Sequence, residues 1–197
     1  MARPRNKTEI EALQAALLLF WEKGYDRTSL ADLSKALGVG PSSIYSTFGS
    51  KADLFRRALQ HYMTEYVHFV PDIIGRASEL GLESTLRQIM RSGAELYSTK
   101  GQPFGCAVLE GGGADLSENS EGGCIAMEFS QTVEAALLKL FKGAKKSERL
   151  AQSPRILAKY TLGVMRGLSK LSREGTRRAD LIKIADFAAD SCFLAKA

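Results

Sequence analysis

TSLADLSKALGVGPSSIYSTFGSKADL, residues 28–54, holds two short helical patterns separated by a glycine break. Ser29 with Asp32 three residues on predicts a capped start, and Leu30, Leu33 and Leu37 fall on one side of the helix that follows. Gly38-Val39-Gly40 interrupts it, and Pro41 opens the next helix at a position where a missing N–H does no harm. Gly49 restricts that second helix to about two turns. Two short helices with this break have the dimensions of a helix-turn-helix.

Outward from this stretch the pattern stays helical. Before it, Thr8-x-x-Glu11 predicts a capping box, Ile10, Leu13, Leu17, Phe20 and Trp21 form one stripe, and Gly24 marks the stop. After it, Ser50 with Asp53 predicts a long fourth helix through Leu54, Phe55, Leu59, Tyr62, Tyr66 and Phe69, ended by Pro71. Leu82, Leu86, Ile89, Gly93 and Leu96 mark a fifth helix. Lys100 to Cys124 holds seven of the eighteen glycines and is expected to be mostly loop, with one short helix at Cys106–Glu110. Three further helices are expected: one through Ile125 to Phe141, one after Ser153-Pro154, and one through Leu181 to Cys192. No stretch alternates like a half-buried strand. The fold class is therefore all-α: a small three-helix head with a helix-turn-helix, expected at residues 1–50, and a larger helical bundle at 51–197.

Composition narrows the function classes. The 197 residues carry a net charge of +5, with 45% hydrophobic and 25% charged residues. That is the make-up of a globular protein, and no apolar run suits a membrane span. Three widely spaced cysteines and the absence of an apolar segment behind the basic start fit a cytoplasmic protein. An enzyme is disfavoured: only two histidines, no G-x-S-x-G and no nucleotide-binding loop leave little chemistry to assign. Gly111-Gly112-Gly113 lacks the Gly-Lys-Ser/Thr of a P-loop. His61, Glu65 and His68 stand at i, i+4 and i+7, about a quarter-turn from the apolar stripe of the fourth helix. They read as a solvated flank, so neither a metal nor a cofactor is expected.

The second short helix has two chemistries. Ile44 and Phe48 face a small core, while Pro41, Ser42, Ser43, Tyr45, Ser46 and Thr47 make an uncharged, hydroxyl-rich face suited to a major groove. Lys51 stands in the first turn of the next helix, where free N–H groups favour an anion. Residues 1–60 hold nine Lys/Arg against six Asp/Glu, only a modest excess. Arg3 and Arg5 beside Pro4 read either as a minor-groove arm or as a solvated tail.

Gly24-Tyr25-Asp26-Arg27-Thr28-Ser29-Leu30-Ala31-Asp32-Leu33, then Leu37-Gly38-Val39, then Ile44 through Leu54, resembles the DNA-binding head of the tetracycline-repressor (TetR) family over roughly residues 8–59. The resemblance implies a homodimeric bacterial regulator that binds a palindromic operator in double-stranded DNA, usually a repressor released by a small-molecule effector. It places Thr28, beside Ser29 at the start of the second helix, on phosphate. Pro41, Ser42 and Ser46 would face bases, Tyr45, Thr47 and Lys51 mainly the backbone, and Ser43 lies on the same DNA-binding side. Pro41 stands where the family often has lysine, and Ser46-Thr47 where it has an aromatic and a histidine, so a charge and two large contacts are missing. An adaptor that kept the head but lost DNA recognition is the alternative.

Beyond the head, Tyr62, Tyr66, Phe69, Met90, Tyr97, Phe104, Met127, Phe129, Tyr160 and Met165 are candidate walls of an apolar effector pocket. Core packing is the competing account of each. Glu110 and Glu128 are candidate polar groups of that pocket. The last two long helices are apolar on more than one side, and Gly163 and Gly167 lie one turn apart, which suits a four-helix dimer interface. Cys106, before a short helix, and Cys124, at the head of a long one, resemble the Gly-Cys segment of redox-responsive family members and are candidate thiol sensors. Cys192 reads as packing.

Overall fold

In the computed structural model, residues 8–110 and 120–194 are described. Their regular structure is helical: α1 Glu9–Lys23, α2 Leu30–Leu37, α3 Pro41–Phe48, α4 Lys51–Glu65, α5 Phe69–Gly75, α6 Ala77–Leu80, α7 Leu82–Tyr97, α8 Ala107–Glu110, α9 Glu121–Lys142, α10 Pro154–Arg173 and α11 Arg178–Asp190. The all-α expectation holds, with one isolated antiparallel bridge between Leu150 and Phe193.

Two compact units form, one from Met1–Glu65 with Ala107–Phe129, the other from Tyr66–Cys106 with Ser130–Ala197. In the first, α1 packs on α2 and α4, and α3 packs on α2 and α4. Its core holds Leu17, Phe20, Trp21, Leu33, Ile44, Leu54, Phe55 and Tyr62, all almost fully buried. Phe20 meets Phe55 edge-on at 4.9 Å, and Trp21 meets Tyr62 the same way at 5.0 Å. In the second unit α7 packs against α10 and α11, burying Leu86, Ile89, Met90, Leu157, Met165 and Leu181. Gly93 permits the close approach of α7 and α10, because a Cβ there would meet Met165 Cε at 3.0 Å.

The start signals are realised as hydrogen bonds. Thr8 and Ser29 each cap their helix and are capped in return by Glu11 and Asp32. Ser50 and Asp53 bond reciprocally in the same way at the start of α4. Gly38 ends α2 in the left-handed conformation, φ 73°, which a glycine adopts without strain.

Three expectations need correction. The fourth helix stops at Glu65, not Pro71, and Pro71 stands in the first turn of a new helix, α5, where a proline is tolerated. His68 is thus off the helix that carries His61 and Glu65, and the three-residue line does not form. The glycine-rich stretch becomes helical already at Glu121, so Gly122 and Gly123 lie inside α9. Gly111-Gly112-Gly113 falls outside the described residues, as do Arg3 and Arg5.

Candidate nucleic-acid interface

Helix α3 has two sharply different sides. Ile44 and Phe48 are buried, whereas Pro41, Ser42, Ser43, Tyr45, Ser46 and Thr47 are all exposed. Tyr45 is half exposed, a large ring with no core to enter. The exposed side carries no charge and four hydroxyl side chains from Ser and Thr besides the phenol, so it can approach base edges without clashing. Ser46 Oγ donates to the Ser43 carbonyl at 3.1 Å. Pro41 supplies the first turn, and Gly40 precedes it in extended conformation with no side chain in the way.

The frame around α3 is built from charged side chains. Arg57 of α4 donates to the Thr47 carbonyl at 3.4 Å, pairs with Glu9 of α1, and lies over the Phe48 ring with 4.9 Å to its centroid. Lys23 pairs with Asp32 at 3.0 Å and ties α1 to α2. Asp32 has its carboxyl pKa well below the ordinary range, chiefly because the Ser29 backbone N–H donates to it, then through the Ser29 hydroxyl and Lys23. Asp53 is lowered too, chiefly by the Ser50 hydroxyl and then by the Ser50 backbone N–H.

Residues expected at the backbone contacts are placed less uniformly. Ser29 is exposed, its hydroxyl donating to Asp32. Thr28 is a correction. It is fully buried, and its hydroxyl donates 2.7 Å to the Gly24 carbonyl. It closes the turn between α1 and α2, so its side chain does not stand at the surface where a phosphate would lie. Lys51 is half-buried, with Nζ 4.1 Å from the centroid of the Tyr25 ring. Burial pushes its ammonium pKa down, while the Asp26 and Glu121 carboxylates oppose that shift.

A matching family model and two curated relatives accompany this geometry. Residues 12–58 match the model described as bacterial regulatory proteins, tetR family. The Escherichia coli K12 transcriptional repressor BdcR is 31% identical over 189 residues, covering 96% of this chain and 91% of BdcR. The chain belongs to the tetR family. The E. coli K12 repressor ComR is 28% identical over 93% of the chain and 88% of its own length. Among solved structures, a cysteine variant of the family regulator CifR bound to 26-base-pair operator DNA matches with TM-score 0.84 and 26% identity, over 95% of this chain and 98% of that one. As a member of the family, this chain is a DNA-binding transcriptional regulator.

The ten candidate pocket residues of this tetR-family chain are divided between its two units. Tyr62 is core of the first, and Met127 and Phe129 are half-buried on α9. Met90, Tyr97 and Met165 are core of the second, with Tyr66 and Phe69 half-buried. Phe104 and Tyr160 are exposed. Two grooves of about 310 and 390 Å³ lie in the second unit and draw on Leu80, Leu82, Leu140 and Glu148, not on any of these ten. Glu128 is paired with Arg56. Glu110 is half-buried at the end of α8. His61 Nε2 lies 3.0 Å from Gln14 Oε1, and the described residues contain no cluster of three metal-ligating side chains.

Cys106 is buried and its backbone N–H donates to Ser169 Oγ at 2.9 Å. Cys124 is exposed in the first turn of α9. Cys192 is buried, and burial pushes its thiol pKa up to about 11. No described helix is long and apolar enough to cross a membrane. Sequence reading did not single out Tyr25, Glu121, Gly122 or the interactions of Arg57. No local pattern marks such contacts, because their partners are 9 to 97 positions away along the chain.

Proposed function

We propose that the chain is a homodimeric repressor whose two α3 helices enter successive major grooves of a palindromic operator, and that an effector favours a state in which α4 shifts and the heads lose the operator spacing. The observation that carries this reading is the exposed, hydroxyl-rich side of α3 opposite buried Ile44 and Phe48. Ser42, Ser43 and Ser46 take the base edges, Pro41 provides close approach, and Tyr45, Thr47, Ser29 and Lys51 take the backbone. The division is one of roles: residues 1–50 read DNA and 51–197 bind effector and pair the subunits. It differs from the packing units, where α4 goes with the head.

Pairing is supported by a bare apolar side of the second unit. Ile156, Tyr160, Gly163 and Gly167 line one side of α10, all exposed, and the space beside each glycine is open. Ile184 and Phe187 do the same on α11, with Phe187 74% exposed. A side so apolar on two adjacent helices suits a second copy, and dimers match the half-site spacing of about one DNA turn. Tyr160 fits this interface better than an effector pocket. The effector is a small apolar molecule, or a reagent that modifies Cys106 or Cys124. The repressor names of BdcR and ComR and the DNA-bound CifR variant support the regulatory direction.

Selection of genomic DNA fragments by the purified chain at near-physiological salt tests the reading. One enriched palindrome is expected, and the genes beside it narrow the effector. Enrichment of nothing above background overturns it.

A further inference from the structure

Tyr25 lies in the turn between α1 and α2, where its ring is fixed by Phe20 at 6.0 Å and Phe55 at 5.1 Å. Two groups from other parts of the same unit converge on it. Lys51, the first residue of α4, lays its ammonium 4.1 Å from the ring centroid. Glu121, the first residue of α9, accepts a hydrogen bond from the Tyr25 hydroxyl. The approach depends on Gly122, because a Cβ there would come within 2.4 Å of Tyr25 Cβ. Any side chain at that position pushes the first turn of α9 away from the ring. Asp26 is the other carboxylate acting on Lys51.

We propose that Glu121 is a positioning residue for DNA binding, acting through Lys51: held by the Tyr25 hydroxyl, its carboxylate offsets part of the charge that Lys51 presents to a DNA phosphate. The inference rests on the reading of Lys51 as a phosphate contact. An ammonium already placed over an aromatic face and near a carboxylate gains less from a phosphate than a free one, because binding exchanges one favourable environment for another. Glu121 begins a helix of 22 residues, so whatever displaces the first turn of α9 also changes the charge at the head. The tyrosine responds to the same carboxylate. Its phenol pKa is raised, first by burial, then by the hydrogen bond to Glu121 and by that residue's charge.

Charge and hydrogen bonding can be separated at this position. Glu121→Gln keeps a carbonyl to accept from Tyr25 but removes the charge, and Glu121→Asp keeps the charge. The measurement is fluorescence anisotropy of the full chain on the DNA fragment that the unaltered protein selects, over about 50 to 200 mM salt. Glu121→Gln is expected to bind about three- to tenfold tighter at the low-salt end, with the gain shrinking as salt rises. Glu121→Asp is expected to stay within about twofold of the unaltered protein. In a Lys51→Ala background the Glu121→Gln gain is expected to vanish. Unchanged or weaker binding by Glu121→Gln, or an equal gain without Lys51, overturns the proposal. An unaltered chain that binds no fragment at all overturns the regulator reading itself, a result distinct from either.

Discussion

The guanidinium of Arg57 on α4 covers the ring of Phe48, the last residue of α3, at 4.9 Å to the centroid. The same side chain donates to the Thr47 carbonyl and pairs with Glu9 of α1, so one residue fixes the end of α3 against two neighbours. Arg57 is one-third exposed, and ion pairs of that kind contribute little to global stability. Arg57→Ala is expected to cost about 1 kcal/mol or less in a denaturant melt. It is expected to weaken DNA binding about three- to tenfold, since a loosened α3 must be ordered on the DNA. A large stability loss with unchanged DNA affinity would contradict this role.

The phosphate and base contacts proposed for α3 and Lys51 are separable by their salt and sequence dependence. Tyr45→Ala is expected to weaken binding to every DNA sequence. Lys51→Ala should do the same and reduce the slope of log affinity against log salt by about one. Ser42→Ala is expected instead to change which base is preferred at one position in each half-site. Competition titrations against a mutated operator set would distinguish the two classes.

Acid sensitivity follows from the caps of α2 and α4. Asp32 and Asp53 have folded-state pKa values below the ordinary 3.8, so folding favours their ionised forms. The stability they contribute is therefore present above about pH 4 and is lost as pH falls through their depressed folded values. Urea midpoints are expected to drop less on acidification for Asp32→Asn than for the unaltered chain, with the difference confined to the acidic side of pH 4. An equal drop for both proteins would contradict the cap assignment.

Phe187 tests the pairing surface. At 74% exposure it makes little contribution within one subunit, so Phe187→Lys is expected to leave the melting temperature of a monomer nearly intact. In a dimer it places two like charges into an apolar interface. Sedimentation is expected to show a shift from dimer to monomer and operator affinity to fall by about two orders of magnitude or more, as half-sites bind separately. A dimer that persists would place the interface elsewhere.

The thiols differ in access. Cys124 is exposed, while Cys106 and Cys192 are buried, and burial raises the Cys192 thiol pKa to about 11. A maleimide is expected to modify one thiol rapidly in the native chain, and Cys124→Ser should abolish that phase. If modification is the switch, DNA release will track this phase or the slower labelling of Cys106. Release that survives Cys106→Ser and Cys124→Ser together would leave the apolar effector as the signal.

Features that depend on neighbours within one or two helical turns are legible along the chain. The reciprocal Ser29–Asp32 and Ser50–Asp53 caps, the glycine stop at Gly38 and the two sides of α3 are all of this kind. Their hydrogen bonds and periodicity close within four residues, so the local chain contains the cause. Pro71 was misleading because its rule permits two outcomes, the end of one helix or the first turn of the next.

Tertiary structure alone decided which side chains share an environment. Tyr62 and Met165 read as core or as pocket wall, with core favoured, and each is buried within its own unit. Thr28 changed from a surface candidate to a buried turn bond with Gly24. Arg56 with Glu128, and Tyr25 with Glu121, join residues 72 and 96 positions apart. Such pairings depend on where folding brings distant helices, which no periodicity along the chain encodes.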